Sequence, residues 1–178
     1  MNIILIEVVL LKLLKLKHGT NCQIDVLVNS WALDVVKRMP EVNQVHVNPF
    51  GHGEFGLIKR IKLGFSLRSE HYDQCFVLPN SLKSALVPFF AGIQKRTGFV
   101  GEMRYGLLND SYKLDKLALP SMIERFCALA NAGHKPDSIE FPSFSVDTQN
   151  QTKVLNRLSL NLLKPVICLC PAAEYGPA

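Results

Sequence analysis

Basic and polar residues in the middle of the chain have the chemistry to bind an anion. Asn80 and Ser81 follow a predicted strand and open a predicted helix, where free backbone N–H groups and the helix dipole favour negative charge. Lys83 lies in the first turn of that helix, and Arg96 and Arg104 follow the next two predicted element ends. Ammonium and guanidinium groups form charge-assisted hydrogen bonds with phosphate. The sequence therefore predicts a phosphate-binding site formed by these five residues.

A second basic group lies on the preceding predicted helix and consists of Lys59, Arg60, Lys62 and Arg68. Solvated surface charge explains this group at least as well as ligand binding does, because charged residues on helices are commonly exposed. Both interpretations stay open for this helix.

Three glycines, Gly51, Gly53 and Gly56, have the G-x-G-x-x-G spacing of a dinucleotide-binding loop. In that motif the loop follows the first strand of the sheet, whereas here it follows the third predicted strand. Pro49 separates the strand from the loop, and Glu54 would place a negative charge beside a pyrophosphate. We interpret the segment as a connecting loop, and a nicotinamide-dependent enzyme is the weakest of the functional hypotheses.

Neither a metal centre nor a nucleophile motif is predicted. No D-x-D pair is present, and no histidine stands beside a Ser or Cys in a nucleophile motif. The cysteines lack zinc-ligand spacing. They are Cys22, Cys75, Cys127, Cys168 and Cys170. We therefore expect a reduced, cytoplasmic protein without a metal or a cofactor.

Composition limits the class of protein. The chain has 178 residues, of which 48% are hydrophobic and 20% charged, which is enough for a packed core and excludes disorder as the main state. The net charge of +5 suits anionic partners but is too small for a dedicated nucleic-acid binder. In the apolar first segment Glu7 comes early and the lysines come late, so neither a secretory signal nor a spanning helix is predicted.

Short β-branched strands alternate with helical stretches, which predicts a parallel α/β sheet with helices on both faces. Strands are predicted over 2–9, 23–28, 44–48, 73–78, 96–100 and 165–169. Helices are predicted over 10–17, 31–39, 57–68, 81–91, 122–130 and 148–158, with Ser30 as an N-cap. A polar loop is expected from the end of the fifth strand to about residue 111.

Several segments are similar to one enzyme family. The longest is VLPNSLKSALVPFFAGI at residues 77–93, followed by Arg96-Thr97-Gly98 and by GEMRYGLLND at residues 101–110. RMPEVN at residues 38–43 and CPAAEYGPA at residues 170–178 extend the match. On these residues the chain resembles the ADP-heptose:lipopolysaccharide heptosyltransferase II family, which consists of inverting glycosyltransferases with a two-domain GT-B fold.

The resemblance implies an activity and a domain organisation. The activity is transfer of L-glycero-D-manno-heptose from ADP-heptose to the first heptose of the lipopolysaccharide inner core. Residues 1–160 would form the Rossmann-like amino-terminal half of the GT-B fold, on the acceptor side. Residues 161–178 would begin a truncated donor-binding domain.

The resemblance also implies binding partners. The phosphorylated heptosyl-Kdo2-lipid A acceptor would contact Asn80, Ser81, Lys83, Arg96 and Arg104. The donor ADP-heptose would contact Ala172, Ala173 and Glu174. No nucleic-acid partner is expected, and the protein would work in the cytoplasm, with peripheral contact at the inner membrane surface.

The chain departs from the family pattern at two places. In the family a Gly-rich loop carrying the general-base Asp follows the first strand, whereas here Ile6 runs through Glu7 to Leu10 without such a loop. Ala172 stands where the family has a glycine. The resemblance therefore identifies no catalytic residue, and we expect the isolated chain to be inactive. The alternative is a non-catalytic remnant or an acceptor-binding module.

Overall fold

A computed structural model describes residues 1–6, 10–51, 53–139, 144–163, 165–167 and 169. The chain divides into two compact units, Met1–Ser145 and Val146–Ala178. The predicted boundary near residue 160 stays a prediction, because much of the following segment lies outside the described residues.

The first unit contains a six-stranded parallel sheet. Its strands are β1 (Asn2–Ile6), β2 (Gln23–Asn29), β3 (Gln44–Asn48), β4 (Gln74–Val77), β5 (Lys95–Phe99) and β6 (Asp110–Tyr112). They lie in the order β3-β2-β1-β4-β5-β6, which is the strand order of a Rossmann fold. Leu5 of β1 pairs with Val26 on one side and Phe76 on the other. Successive strands are added on one side of β1 up to β3, and on its other side from β4 onward. Ligands of such sheets bind near this switch point, between β1 and β4, at the carboxyl ends of the strands.

Helices cover both faces of the sheet, as predicted. Those of the first unit are α1 (Leu11–His18), α2 (Leu33–Val36), α3 (Leu57–Ser66), α4 (Leu82–Phe90) and α5 (Met122–Ala130). Buried residues form two clusters. One includes Leu14 of α1 and Ala128 of α5, and the other includes Ala85 of α4 with Leu63 of α3 packed against it. The predicted fold class is confirmed.

Alternation along β2 explains how one strand supplies both clusters. Val26 and Val28 belong to the cluster under α1 and α5, whereas Leu27 belongs to the cluster under α3 and α4. Successive side chains of a strand point to opposite faces, so a strand buried on both sides reads as a continuous apolar run.

Helices α3 and α4 approach closely at Gly64. A Cβ atom on Gly64 would lie 2.7 Å from the Cβ of Phe90 and 2.8 Å from the carbonyl oxygen of Val87. Only glycine leaves room for this contact. The two helices therefore form one layer against the sheet.

Three predictions about elements are corrected. The polar loop predicted up to residue 111 contains β6, which pairs with β5 through Thr97 and Phe99. Residues 30–32 form a 3₁₀ turn before a short α2, so Ser30 is not an N-cap. The strand predicted at 165–169 does not form at residues 165–167 and 169, because a strand needs a neighbour in register and none pairs with them in the described part of the chain.

The second unit contains α6 (Thr148–Arg157). The carboxylate of Asp147 accepts hydrogen bonds from the backbone N–H groups of Gln149 and Asn150, both at 3.0 Å, and so caps the first turn. Within the described ranges, no helix of the chain has both the length and the apolar composition needed to cross a bilayer.

Candidate functional site

A cleft of about 790 Å³ opens at the carboxyl edge of the sheet, between the segments that follow β4, β5 and β6. Parallel strands bring their carboxyl ends to one edge, so loops far apart in sequence meet there. The lining residues are Asn80, Ser81, Val100, Gly101, Glu102, Tyr105, Lys113, Leu114 and Lys116. The cleft therefore carries two ammonium groups, one carboxylate, one phenol and neutral polar groups.

Asn80 and Ser81 form the wall of the cleft after β4, at the edge where the sequence predicts them. The segment after β5 lies directly against them, since a Cβ atom on Gly101 would be 3.0 Å from the carbonyl oxygen of Asn80. A larger residue at position 101 would push the two segments apart. Their contact with an acceptor stays a prediction.

Arg104 is a structural residue and does not face the cleft. It is only 2% exposed. One guanidinium nitrogen, Nη1, donates to the carbonyl oxygen of Pro79 at 2.5 Å and to Ser84 Oγ at 3.2 Å, and Nη2 donates to the carbonyl oxygen of Phe99 at 2.6 Å and to Asn80 Oδ1 at 3.2 Å. Both terminal nitrogens thus donate inside the protein, and the buried Nε has no hydrogen-bond partner among the described residues. Arg104 thus ties the end of β5 to the turn after β4, and its role as an anion contact stays a prediction.

Arg96 lies near the ends of the strands that are opposite to the cleft. It is the second residue of β5, so it sits near the amino ends of the strands, whereas the cleft is at their carboxyl ends. Its Nε donates to the carbonyl oxygen of Leu107 at 2.6 Å, and its Nη1 donates to that of Ile93 at 2.5 Å. Its guanidinium carbon lies 5.5 Å from the ring centre of Phe89. Arg96 therefore does not line the cleft, and its contact with an acceptor stays a prediction.

A carboxylate of the chain itself occupies the N-terminus of α4. Glu102 Oε2 accepts a hydrogen bond from the backbone N–H of Leu82 at 2.7 Å. An anion at this end of a helix is stabilised by the free N–H groups and the dipole. Glu102 and Met103 both have positive φ, 42° and 50°, which is uncommon for residues other than glycine. The helix end predicted to bind phosphate is thus already paired with an internal anion.

Lys83 lies in the first turn of α4 and is half-buried. It does not line the cleft, and it has no hydrogen-bond or ion-pair partner within the described ranges. Its predicted role stays open.

Lys113 and Lys116 are the cleft cations that sequence reasoning missed. Both are exposed, and neither has a hydrogen-bond or ion-pair partner in the part of the chain that the structure describes. Lys113 directly follows β6, so recognising that strand would have placed it at the ligand edge. Tyr105, which is 74% exposed, lines the same cleft.

The residues predicted to bind the donor, Ala172, Ala173 and Glu174, lie outside the described residues, and so does Glu7. The glycine-rich loop is described except for residue 52. It joins the edge strand β3 to α3, and Glu54 accepts the backbone N–H of Gly51 at 3.1 Å, which leaves a carboxylate where a pyrophosphate would have to lie. This geometry argues against a dinucleotide site. The described residues contain no cluster of His, Cys, Asp or Glu that could hold a metal ion.

Comparison with known proteins decides the family. The family model described as glycosyltransferase family 9 (heptosyltransferase) matches residues 60–178. The chain belongs to this family. Its relatives include lipopolysaccharide heptosyltransferase 2 of Escherichia coli strain K12, 49% identical over 162 residues that cover 87% of this chain and 47% of the relative. Lipooligosaccharide heptosyltransferase 2 of Haemophilus influenzae is 44% identical over 167 residues, 89% of this chain and 48% of the relative. The chain thus spans about half the length of these relatives.

Solved structures of glycosyltransferases agree with this family membership. The Escherichia coli ADP-heptose lipopolysaccharide heptosyltransferase II structure superposes with a TM-score of 0.86 at 40% identity, covering 100% of this chain and 56% of that chain. An Escherichia coli heptosyltransferase solved with ADP has a TM-score of 0.59 at 16% identity, covering 78% of this chain and 49% of that one. The second likeness shows the fold alone. The GT-B architecture expected from the sequence is thus confirmed for the part that these structures share with this chain.

Proposed function

We propose that this chain supplies the acceptor-binding part of an enzyme that transfers L-glycero-D-manno-heptose from ADP-heptose to the first heptose of the lipopolysaccharide inner core. The similarity to heptosyltransferases 2 of two organisms supports the reaction. The cleft supports the acceptor role, because it lies at the ligand edge of a Rossmann-like sheet and presents two ammonium groups that have no partner among the described residues. This cleft is the observation that carries the proposal.

Each side of the cleft has a function in acceptor binding. Lys113 and Lys116 attract the phosphate groups of the acceptor as point charges. Asn80 and Ser81 donate and accept hydrogen bonds with sugar hydroxyls. Tyr105 offers an exposed ring on which the apolar face of a sugar can pack.

The transfer step itself is a direct displacement at the anomeric carbon of the donor. A carboxylate removes the proton of the acceptor hydroxyl, the new glycosidic bond forms, and the bond to the ADP phosphate breaks. Positive groups and N–H donors stabilise the departing diphosphate. Contact of Ala172, Ala173 and Glu174 with ADP-heptose is part of this proposal, and so is work at the cytoplasmic face of the inner membrane.

The decisive experiment is calorimetric titration of the 178-residue chain with a phosphorylated heptosyl-Kdo2 oligosaccharide at two salt concentrations. The double variant Lys113→Ala/Lys116→Ala should bind at least about tenfold more weakly, since each charge-assisted contact contributes on the order of 1.5 kcal/mol. Its affinity should also depend less on salt, because screening acts on the removed charges.

The matched control removes two exposed lysines outside the cleft, with Lys37→Ala/Lys153→Ala, and should keep the original affinity. Equal affinity of the cleft variant and the unmodified chain would refute the assignment of the cleft. Acceptor binding without any transfer from ADP-heptose would fit an acceptor-binding module.

A further inference from the structure

Helix α3 exposes apolar side chains that the core does not use. Ile58 is 69% exposed and Phe65 is 49% exposed, and they lie seven residues apart on the solvent side of the helix. Phe55 and Leu57, at the start of the helix, are also exposed. Surface helices normally turn such residues inward.

The inward side of the same helix is only partly apolar. Arg60 is 5% exposed, and its guanidinium carbon lies 3.8 Å from the ring centre of Phe50. Its Nε donates to the carbonyl oxygen of Phe55 at 2.6 Å, and its Nη2 donates to that of Glu54 at 3.1 Å. Arg60 and Gly64 therefore occupy the inner face beside Leu63, while the apolar residues Ile58 and Phe65 face outward. The ring of Phe65 lies 6.3 Å from that of Phe90 and 4.1 Å from the guanidinium carbon of Arg68, but 49% of the residue stays exposed. Ile58 belongs to neither core cluster.

Basic residues are interleaved with the exposed apolar ones. Apart from the buried Arg60, residues 54–70 contain three basic side chains and two acidic ones. Lys62 is exposed and has no ion-pair partner among the described residues. Lys59 pairs with Glu54 at 2.8 Å, and this pair is solvent-accessible. The outer face of α3 is thus both apolar and positively charged.

We propose that the outer face of α3, formed by Phe55, Leu57, Ile58, Lys59, Lys62 and Phe65, binds the surface of an anionic phospholipid bilayer. Helices that lie in the membrane interface combine apolar residues at acyl-chain depth with lysines at the headgroups. A protein partner fits less well, because lysine is depleted in the cores of protein interfaces. The proposal deepens the proposed function, on which it rests for its purpose, since an acceptor anchored by lipid A is presented at such a surface.

The position of α3 suits this purpose. Both α3 and α4 begin at the carboxyl edge of the sheet, and Ser81 at the start of α4 lines the cleft. Binding through α3 therefore keeps the edge that carries the cleft close to the membrane.

The experiment is co-sedimentation of the 178-residue chain with vesicles of phosphatidylethanolamine and phosphatidylglycerol, and with vesicles of phosphatidylcholine alone. We expect binding to the anionic vesicles and at least about tenfold weaker binding to the neutral ones. Lys59→Glu/Lys62→Glu should weaken anionic binding at least about tenfold. Ile58→Ser/Phe65→Ser should weaken vesicle binding at high salt as well, since it removes the apolar contribution to binding, which salt does not screen.

Two matched controls make the result specific to this face. Leu117→Ser removes an exposed apolar residue elsewhere, and Lys37→Glu/Lys153→Glu reverses two other exposed lysines. The apolar control should bind like the unmodified chain, and the charge control should lose less than the α3 charge variant. Circular dichroism verifies the fold of each variant.

Three outcomes would overturn the proposal. They are absence of vesicle binding, equal binding by the α3 variants and the controls, and a dimer in sizing experiments that the α3 variants dissociate without any vesicle binding. The last result would assign the face to a second copy of the chain. The vesicles contain no acceptor, so the outcome is independent of the calorimetric test of the cleft, and either proposal can fail alone.

Discussion

Two residues of the same charge have opposite uses at the carboxyl edge of the sheet. Arg104 is buried and both of its terminal nitrogens donate to backbone carbonyl groups, whereas Lys113 is exposed and unpaired within the described ranges. A planar guanidinium with several donors suits the first position, and a flexible ammonium suits the second. Charge alone therefore does not separate a binding residue from a structural one.

Replacing Arg104 should destabilise the fold. In Arg104→Leu the carbonyl groups of Pro79 and Phe99 lose their donors in a buried setting, and each such loss costs about 1 to 3 kcal/mol. We expect the free energy of unfolding to fall by about 2 to 4 kcal/mol in urea titrations. Lys113→Ala, at an exposed position, should change it by less than about 0.5 kcal/mol. A stable Arg104→Leu protein that has lost only acceptor binding would return Arg104 to the site.

The sequence located the turn that lines the cleft, but only some of the side chains around it. Asn80 and Ser81 follow directly from a strand that ends and a helix that begins. The structural role of Arg104 could not be assigned from sequence. Nothing in the residue order shows that the turn after β4 accepts hydrogen bonds from a side chain more than twenty positions later. Arg96 was misplaced because β5 begins before it, which puts it at the amino edge.

At the scale of elements, two helices start with the same residue type but are capped differently. Ser121 accepts a hydrogen bond from the backbone N–H of Glu124 at 3.1 Å, and Glu124 Oε2 accepts the backbone N–H of Ser121 at 3.0 Å, which completes a capping box on α5. Ser81 stands before α4, but its side chain makes no capping hydrogen bond. There Glu102 binds the first N–H group instead.

This contrast gives a paired prediction. Ser121→Ala should lower the free energy of unfolding by about 1 kcal/mol, because it leaves an N–H group of α5 without its acceptor. Ser81→Ala should lower it by less than about 0.5 kcal/mol. Chemical denaturation of both variants measures the difference. Equal losses of unfolding free energy in the two variants would contradict the prediction, because the hydrogen bonds of the capping box would then add no stability.

Strands with β-branched runs were predictable, and the short polar strand was not. β2 and β3 match their predicted ranges within one residue, since Val recurs in both. β6 consists of Asp110, Ser111 and Tyr112, which have the composition of a loop. It forms a strand because side-chain hydrogen bonds hold Asp110 against β5. These contacts join positions far apart in sequence, so the local sequence does not reveal them. Missing β6 also hid Lys113 and Lys116.

At the scale of the whole molecule, a buried polar chain joins three strands of the sheet. Gln74 Nε2 donates to Thr97 Oγ1 at 2.8 Å, and Thr97 Oγ1 donates to Asp110 Oδ2 at 2.8 Å. Tyr112 donates to Asp110 Oδ1 at 2.9 Å, and Lys95 Nζ lies 3.3 Å from Oδ2. Partial burial acts to raise the pKa of Asp110, but these hydrogen bonds and the Lys95 charge outweigh it and lower the pKa below its usual 3.8.

Because folding lowers the pKa of Asp110, the free energy of unfolding depends on pH in the acidic range. Because the carboxyl is more acidic in the folded state, it stabilises the fold fully above its unfolded pKa near 3.8, and this contribution is lost as the pH falls through the folded value. Between about pH 5 and pH 3, Asp110→Asn should therefore lose less stability than the unmodified chain. Urea titrations across this range test it, with Asp137→Asn at an exposed position as the control. Parallel pH profiles of the unmodified chain and Asp110→Asn would contradict the prediction.

Three thiols, those of Cys22, Cys75 and Cys127, are buried and unpaired. Burial raises the pKa of each, and the thiolate is the form that reacts with alkylating reagents. Reaction at each position therefore requires the structure around that thiol to open. When closing is faster than alkylation, the alkylation rate follows the equilibrium population of open molecules. With Cys168 and Cys170 replaced by serine, mass spectrometry of alkylated protein would count opening events directly. The protein thus carries its own reporters of unfolding, one beside α1, one in the centre of the sheet and one on α5.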